Sequence, residues 1–199
     1  MSGLLYCCRV FATGDRVLDV AGGGGSYSIL GAALHADCHF RIVEYGAMVR
    51  VSQQWIDHYE SSHNHSGGLM LQSKVDVRHA DMFSAESWKH LKTDFSPNKI
   101  FFSNIFHDWS LETNLQLASY AFDTLPIGGE IIVHEMPLEE DGEEEEESIA
   151  VGFSEVLRVW TEGTQYKRSE ITAVLQDAGF KTVNIQAGHG PYCIFRGTK

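Results

Sequence analysis

The sequence has few of the features that mark secreted, metal-bound or membrane proteins. Its four cysteines, Cys7, Cys8, Cys38 and Cys193, form no C-x-x-C pair and no cluster with nearby histidines, which argues against a zinc site or a disulfide framework. No apolar run approaches the ~20 residues that a membrane span needs, and the amino terminus lacks the residue order of a signal peptide. We therefore expect a cytoplasmic protein with reduced thiols, no metal and no membrane contact.

Basic residues are also scarce, with 15 lysines and arginines against 27 acidic residues and a net charge of −12. Eight of the acids fall within residues 139–147, so the remaining chain is only mildly acidic. A run of this kind repels itself and is typical of a solvated loop, which we predict over residues 138–148; a partner-binding or cation-attracting role is the alternative. Without a compensating basic face, a nucleic-acid partner is not expected.

The length and the pattern of apolar residues predict one α/β domain. A chain of 199 residues with 43% hydrophobic content is large enough for one well-buried core and small for two, so we predict a single domain over 1–199. Apolar strand patterns alternate with helical ones. Predicted strands cover 17–20, 38–45, 75–82, 99–106 and 130–136, and predicted helices cover 26–35, a segment from Met48, 111–125, 149–160 and a segment from Ser169 as N-cap to Ala178; residues 84–98 are mixed.

This alternation predicts a Rossmann-like, doubly wound, mostly parallel sheet, because strand–helix–strand units form right-handed crossovers. Two further strands, 181–187 and 192–197, are separated by a short glycine-containing turn. They predict a C-terminal antiparallel hairpin.

Four consecutive glycines, Gly22 to Gly25, follow the first strand, which contains Asp19. Without Cβ atoms, these residues let a ligand lie directly against main-chain N–H groups at the start of a helix. The dinucleotide fingerprint G-x-G-x-x-G/A is not met in either frame. The loop indicates a nucleotide-type cofactor, and an NAD-dependent oxidoreductase is the weaker alternative.

Polar residues stand at the ends of the other predicted strands, where ligands bind in open α/β sheets. Glu44 lies about 20 residues after the glycines, where an acid accepts hydrogen bonds from ribose hydroxyls. Asp81 can accept from an adenine amino group, and the Met82 thioether can cover the ring. His107 and Glu135 follow at later strand ends. Each also has a structural interpretation, as a solvated carboxylate, a turn aspartate or a core histidine.

Two motifs carry a resemblance to a known family. The pattern Asp19-x-Ala21-x-Gly23-x-Gly25 resembles the D-x-G-x-G-x-G motif of class I S-adenosylmethionine (SAM)-dependent methyltransferases, with alanine in place of one glycine. Residues 104–109 resemble the His-Asp-Trp signature of plant and microbial small-molecule O-methyltransferases. Together with the Asp-Met pair at 81–82 and the run at 128–135, the similarity covers residues 14–199.

The resemblance implies methyl transfer from SAM to a hydroxyl of a small aromatic molecule, with S-adenosylhomocysteine as the other product. It implies that the loop holds the methionine portion of SAM, Glu44 the ribose, and Asp81 with Met82 the adenine. His107 would be the general base, a role that suits an imidazole pKa of about 6.5. Glu135 would orient it, and Asp108 completes the implied catalytic residues. The implied cofactor-binding residues are Asp19, Ala21, Gly22, Gly23, Gly25, Glu44, Tyr45, Asp81, Met82 and Asn104.

The sequence departs from the family pattern at three places. Gln165 stands where plant members carry a second glutamate beside the histidine, with Glu162 as a substitute, and Ser103 stands where they carry a lysine. This sequence begins shortly before the first strand, and only residues 1–11 stand in place of the N-terminal helical region that in the family forms the dimer and covers the acceptor site. We expect either a stand-alone or truncated catalytic domain with an open acceptor face, or a homodimer or partner chain that completes the acceptor pocket. A non-catalytic SAM-binding or interaction module is the alternative.

Overall fold

The computed structural model describes residues 3–35, 37–63, 74–139 and 149–199. The predicted acidic loop lies outside these residues except for Leu138 and Glu139. The helices are α1 (Gly3–Cys7), α2 (Ser26–Leu34), α3 (Met48–His63), α4 (Ala85–Phe95), α5 (Leu111–Thr124), α6 (Ile149–Trp160) and α7 (Arg168–Asp177). The strands are β1 (Arg16–Val20), β2 (His39–Glu44), β3 (Val75–His79), β4 (Lys99–Ser103), β5 (Glu130–Glu135), β6 (Thr182–Ala187) and β7 (Cys193–Thr198).

The strands form one sheet in the order β3-β2-β1-β4-β5-β7-β6. β1 to β5 run parallel, and β7 pairs antiparallel with both β5 and β6. The predicted doubly wound sheet with a C-terminal antiparallel hairpin is thus confirmed. The strand order reverses between β1 and β4, and such a switch point opens a crevice at the carboxyl edge of the sheet.

Both faces of the sheet are buried, which explains why its strands are short apolar runs. On one face, Leu18 and Val20 pack with Phe102 in a cluster that includes residues of α4, α5 and α7. On the other face, Val17 and Phe101 pack with residues of α1 and α2. Because side chains alternate along each strand, neighbouring residues of β4 and β5 pack on opposite faces of the sheet.

The helix α4 lies within residues 84–98, for which we predicted a mixed segment and no helix, so that prediction was wrong. Ser84 accepts a hydrogen bond from Ser87 N and caps the helix. Trp88, Leu91 and Phe95 point into the core. Their spacing of three and four residues is typical of a helix, but the charged residues between them make the apolar pattern harder to recognise in the sequence.

Several predicted boundaries were also wrong. β3 ends at His79 instead of 82 because Asp81 forms a turn, in which its carboxylate accepts from Phe83 N at 2.9 Å. β4 ends at Ser103 instead of 106 because Asn104 has a left-handed φ of 58°.

The N-cap of α7 is Lys167 instead of Ser169, because the Glu170 carboxylate accepts from Lys167 N at 2.8 Å. One-residue differences from the prediction also occur at the starts of β1 and β6, at both ends of β2 and β7, and at the ends of α2, α5, β5 and α7. No described helix combines the length and apolar character needed to cross a membrane, and the cytoplasmic location stays a prediction.

Candidate active site

The glycine loop is a tight turn that depends on left-handed backbone conformations. Ala21, Gly23 and Gly25 have φ values of 54°, 58° and 74°. A Cβ on Gly25 would also lie 2.5 Å from Ile42 Cδ1. The residue that opens α2 at its N-cap must therefore be glycine, both for its conformation and for the close approach of β2.

Asp19 supports this loop from below. Its side chain is buried, and Ser28 Oγ donates to Asp19 Oδ2 at 2.6 Å. A Cβ on Gly22 would lie 2.6 Å from Asp19 Cγ, so the loop passes directly over the carboxylate. Burial raises the pKa of Asp19 to about 6, with Ser28 opposing and the charge of Glu44 adding to the shift. Asp19 thus positions the loop instead of lining the cavity described next.

Glu44 joins the end of β2 to the glycine loop. Its carboxylate accepts from Gly23 N at 2.7 Å and from Tyr45 N at 3.2 Å. Beside it lies an open cavity of about 400 Å³, which suits a nucleoside. The lining residues are Ala21, Val43, Glu44, Tyr45, Ala80, Asp81, Met82, Phe83 and Trp109. The structure therefore brings together Ala21, Glu44, Tyr45, Asp81 and Met82 of the predicted set.

The sequence did not single out Val43, Ala80, Phe83 or Trp109 as walls of this cavity. Trp109 and Phe83 meet edge to face with ring centroids 4.8 Å apart, and they close one side. Val43 and Ala80 lie close to the ends of β2 and β3, and this position was the feature of the sequence that could have identified them as cavity residues. The walls are apolar with two carboxylates at the rim, an arrangement that can hold a purine ring and a ribose.

A second cluster forms where β4 and β5 end. The buried Glu135 carboxylate accepts from Ile105 N at 2.9 Å and from Phe106 N at 2.8 Å through Oε1. Its Oε2 lies 2.7 Å from His107 Nδ1. Asn114 on α5 donates to Phe106 O at 2.7 Å. One carboxylate thus fixes both the backbone turn at Phe106–Asp108 and the histidine ring that the turn carries.

The hydrogen bonds assign the protons of His107. A carboxylate only accepts, so Nδ1 carries a proton and Nε2 of the neutral ring is left with its lone pair. Nε2 lies 3.6 Å from Asp108 Oδ1. Burial alone would lower the pKa of His107, but the hydrogen bond and charge of Glu135, together with the charge of Asp108, raise it above its ordinary value. Burial also raises the pKa of Asp108, against the attraction of His107.

The remaining predicted residues lie around this cluster. Asn104 donates through its backbone N to His134 O at 3.0 Å and through its side chain to Ser103 Oγ at 3.3 Å, so it shapes the turn before His107 and does not line the nucleoside-sized cavity. Gln165 is buried, and Glu162 has an exposed side chain. In the described part of the chain neither of them bonds to His107, whose ring is held by Glu135.

No group of three or more histidine, cysteine or acidic side chains in the described ranges is arranged to hold a metal ion.

These features define a Rossmann-like domain with a nucleoside-sized cavity at the carboxyl edge of its sheet, and with a carboxylate-held histidine two residues from Trp109 in the cavity wall. The O-methyltransferase domain family matches residues 4–181. The chain belongs to this family, as its motifs indicated.

Individual relatives are distant in sequence and close in fold. The chain is 22% identical to 3-hydroxy-5-methyl-1-naphthoate 3-O-methyltransferase of Streptomyces sahachiroi over 84% of its own length and 44% of that protein. Human N-acetylserotonin methyltransferase, crystallised with SAM, superposes with a TM-score of 0.80 at 18% identity, covering 99% of this chain and 51% of that one.

An O-methyltransferase family 2 protein from Planctomyces limnophilus, in complex with apigenin, gives a TM-score of 0.78 at 20% identity, covering 98% of this chain and 57% of that one. The chain thus spans about half the length of these relatives.

Proposed function

We propose that the chain forms a single cofactor-binding catalytic domain of a SAM-dependent O-methyltransferase, and that it acts on a hydroxyl of a small aromatic molecule. Family membership supports the reaction class. The names of the relatives support the acceptor class, since hydroxynaphthoate, N-acetylserotonin and apigenin are all aromatic compounds with a hydroxyl group on a ring. The observation that carries the proposal is the Glu135–His107 pair beside the cavity wall.

The cavity residues fit the adenosine part of SAM. The apolar walls match a purine ring, and the Glu44 carboxylate at the rim can accept from two ribose hydroxyls. Asp81 can accept from the adenine amino group while its own turn hydrogen bond to Phe83 N remains. The glycine loop, with no Cβ at Gly23, lets the methionine portion approach the backbone. When bound, SAM supplies a methyl group on a positively charged sulfur.

His107 would take the proton of the acceptor hydroxyl at Nε2 as the oxygen becomes a nucleophile. The proton moves onto a ring whose other nitrogen already donates to Glu135, so the positive charge that forms lies 2.7 Å from a buried carboxylate. Asp108 lies on the Nε2 side and adds to this stabilisation. General-base catalysis of this kind contributes about 10²- to 10⁴-fold to a rate.

A second cavity supports the proposal of an acceptor site next to the nucleoside-sized cavity. It has a volume of about 570 Å³ and is lined by Asp108, Trp109, Val159, Trp160, Thr161 and Glu162. Trp109 lines both this cavity and the nucleoside-sized one. An aromatic acceptor in this cavity would lie against the indole rings of Trp109 and Trp160 and next to the turn that carries His107. The acceptor would then be close to both the cofactor cavity and the base, and methyl transfer requires this proximity.

We also propose that another segment or a second chain covers this side. The apolar residues Ile149, Phe153, Val156 and Trp160 recur at helical spacing along α6, and all are more than half exposed. A continuous apolar stripe of this size marks a contact surface. A homodimer or a partner chain that packs on α6 would complete the acceptor pocket.

The test is methyl transfer by the full-length protein to a panel of phenolic acceptors, together with calorimetric titration of SAM and S-adenosylhomocysteine. We expect His107→Ala to lower turnover by about 10²- to 10⁴-fold with SAM affinity unchanged, and the exposed His90→Ala to change neither. Unaltered turnover in His107→Ala would refute the base assignment. SAM binding without transfer to any phenol would favour a non-catalytic SAM-binding module, and NAD binding in place of SAM would favour an oxidoreductase.

A further inference from the structure

The backbone of Trp109, whose side chain lines both cavities of the proposed site, is held from two sides. Its carbonyl oxygen accepts from Asn114 Nδ2 of α5 at 3.1 Å and from Tyr166 Oη at 2.7 Å. The same Asn114 nitrogen donates to Phe106 O, on the other side of His107. In the described part of the chain Asn114 Oδ1 has no partner, so the hydrogen bonds to the turn orient this amide.

Tyr166 lies in the connection between α6 and α7, residues 161–167, which we call the α6–α7 segment. Its backbone oxygen accepts from Leu138 N at 2.9 Å, just beyond β5, and its side chain is buried. Burial and the charge of Glu170 raise the pKa of Tyr166, so its hydroxyl keeps the proton that it donates. The hydroxyl thus links an anchored residue to the backbone of Trp109.

The α6–α7 segment also packs directly on the turn that carries His107. A Cβ on Gly163 would overlap the backbone oxygen of His107 and lie 2.7 Å from both N and O of Trp109. These are backbone atoms, which cannot move aside as the end of a flexible side chain can, so the approach requires glycine. Glu162 N donates to Asp108 O at 3.2 Å. All three residues of the turn, 107–109, therefore lie against this segment.

We propose that Tyr166 and Gly163 are positioning residues for methyl transfer. By holding the backbone of residues 107–109, they set where the His107 ring and the Trp109 indole stand relative to the cofactor and the acceptor. The inference rests on the proposed function and adds to it two residues outside the linings of both cavities. Alignment of the reacting atoms matters because a displacement of about 1 Å can lower a rate by about 10²-fold.

The first test is Tyr166→Phe in the full-length protein, which keeps the buried ring and removes the donor. Trp109 O still accepts from Asn114, so the fold should persist. We expect kcat for a phenolic acceptor to fall about tenfold, because the turn is then held from one side only. The affinity for S-adenosylhomocysteine, measured by calorimetry, should change much less, because most walls of the nucleoside-sized cavity come from the ends of β1, β2 and β3.

The second test is Gly163→Ala, with Gly152→Ala as the matched control. Neither glycine has a left-handed φ, so an added Cβ acts only through its contacts. At Gly163 it meets the turn, and kcat should fall by about ten- to a hundredfold. At Gly152, on α6, it meets no described atom within 4 Å, and kcat should stay unchanged.

A third measurement follows the turn without any reaction. The Trp109 indole meets Phe83 edge to face at 4.8 Å, so its N–H signal in an NMR spectrum of the ligand-free protein depends on where the ring stands. Tyr166→Phe and Gly163→Ala should both shift this signal, and Gly152→Ala should not. The indole signal of Trp55, on α3, is the internal reference.

The outcomes separate this inference from the proposed function. Unchanged kcat in Tyr166→Phe, or an unmoved Trp109 signal, would overturn the inference, even if the variant lost stability, because a merely structural role predicts that loss alone. Tyr166→Phe decides the matter if Gly163→Ala does not fold. A wild-type protein that methylates no phenol would overturn the proposed function, and the indole signals would then decide whether the two residues hold the turn.

Discussion

Replacing Glu135 by glutamine should leave the shape of the site intact and move the proton of the neutral His107 ring from Nδ1 to Nε2. Glu135 accepts three hydrogen bonds, from Ile105 N, Phe106 N and His107 Nδ1. A glutamine has one carbonyl oxygen and one amide nitrogen. If its nitrogen faced the two backbone N–H groups, both would lose their acceptor at about 1–3 kcal/mol each, so the oxygen will face them and the nitrogen will face His107.

In that orientation the amide donates to Nδ1, and the neutral ring must carry its proton on Nε2. The nitrogen that should accept the proton of the hydroxyl is then blocked. Turnover should fall by about 10²- to 10⁴-fold, the contribution expected of a general base, while SAM affinity is unchanged because the nucleoside-sized cavity does not include Glu135. Loss of the charge-assisted bond should lower the free energy of unfolding by about 1–3 kcal/mol.

The assay is initial-rate methyl transfer across pH, with urea unfolding in parallel. A base must be neutral, so the wild-type rate should rise as pH passes upward through the raised pKa of His107. Without the negative charge of Glu135, any residual activity should show this rise at lower pH. Glu130→Gln is the matched control, since Glu130 begins the same strand and pairs with Lys99 and Arg196; it should cost stability and leave turnover unchanged. Equal turnover in the two variants would refute the reasoning.

Three further predictions concern the cofactor loop. Glu44→Gln should weaken S-adenosylhomocysteine binding about ten- to a hundredfold, since a hydrogen bond to a charged group contributes about 1.5–3 kcal/mol; unchanged affinity in calorimetry would contradict the ribose role. Burial holds the pKa of Asp19 at about 6, above the ordinary value of an aspartate. The protonated carboxyl therefore stabilises the fold at low pH, and about 3 kcal/mol of the free energy of unfolding is lost as pH rises from the ordinary pKa to the raised one. Asp19→Asn should remove this pH dependence of stability. If urea unfolding gave the same change in stability with pH for the variant and the wild type, the prediction would be contradicted. Gly25→Ala should lower Tm more than Gly14→Ala, because both have positive φ but only the first places a Cβ 2.5 Å from Ile42 Cδ1; adding Ile42→Val should recover part of the loss, and equal effects of the two alanine variants would exclude the steric argument.

Local patterns were enough to predict the features in which neighbouring residues act together. The apolar run of β1 and the glycines after it are contiguous, so the sequence shows both the buried strand and the loop. The same holds for residues 104–109, whose histidine is carried by a turn that these residues themselves form. The motif order indicated the family, and the family match agrees with it.

The role of each loop residue needed the structure. The resemblance implied that residues 19–25 contact the cofactor, but Asp19 lies beneath the loop and Ser28 bonds to it. For Asp81 the sequence offered cofactor binding and a turn as alternatives, but the structure shows that this residue both lines the cavity and closes a turn. In both cases burial and the direction of the side chain decide the role, and neither is a property of local sequence.

The sequence by itself determined the alternation of strands and helices, the glycine loop and the positions of the chemically active strand ends, because these follow from hydrophobic periodicity and backbone freedom within a few residues. Only the tertiary structure decided which side chains meet. Glu135 reaches His107 across 28 positions, and Ser103 reaches His134 across 31. The alternation of side chains in β5 then sends His134 and Glu135 to opposite faces, so Glu135 meets His107 while the adjacent His134 packs against Tyr27 of α2.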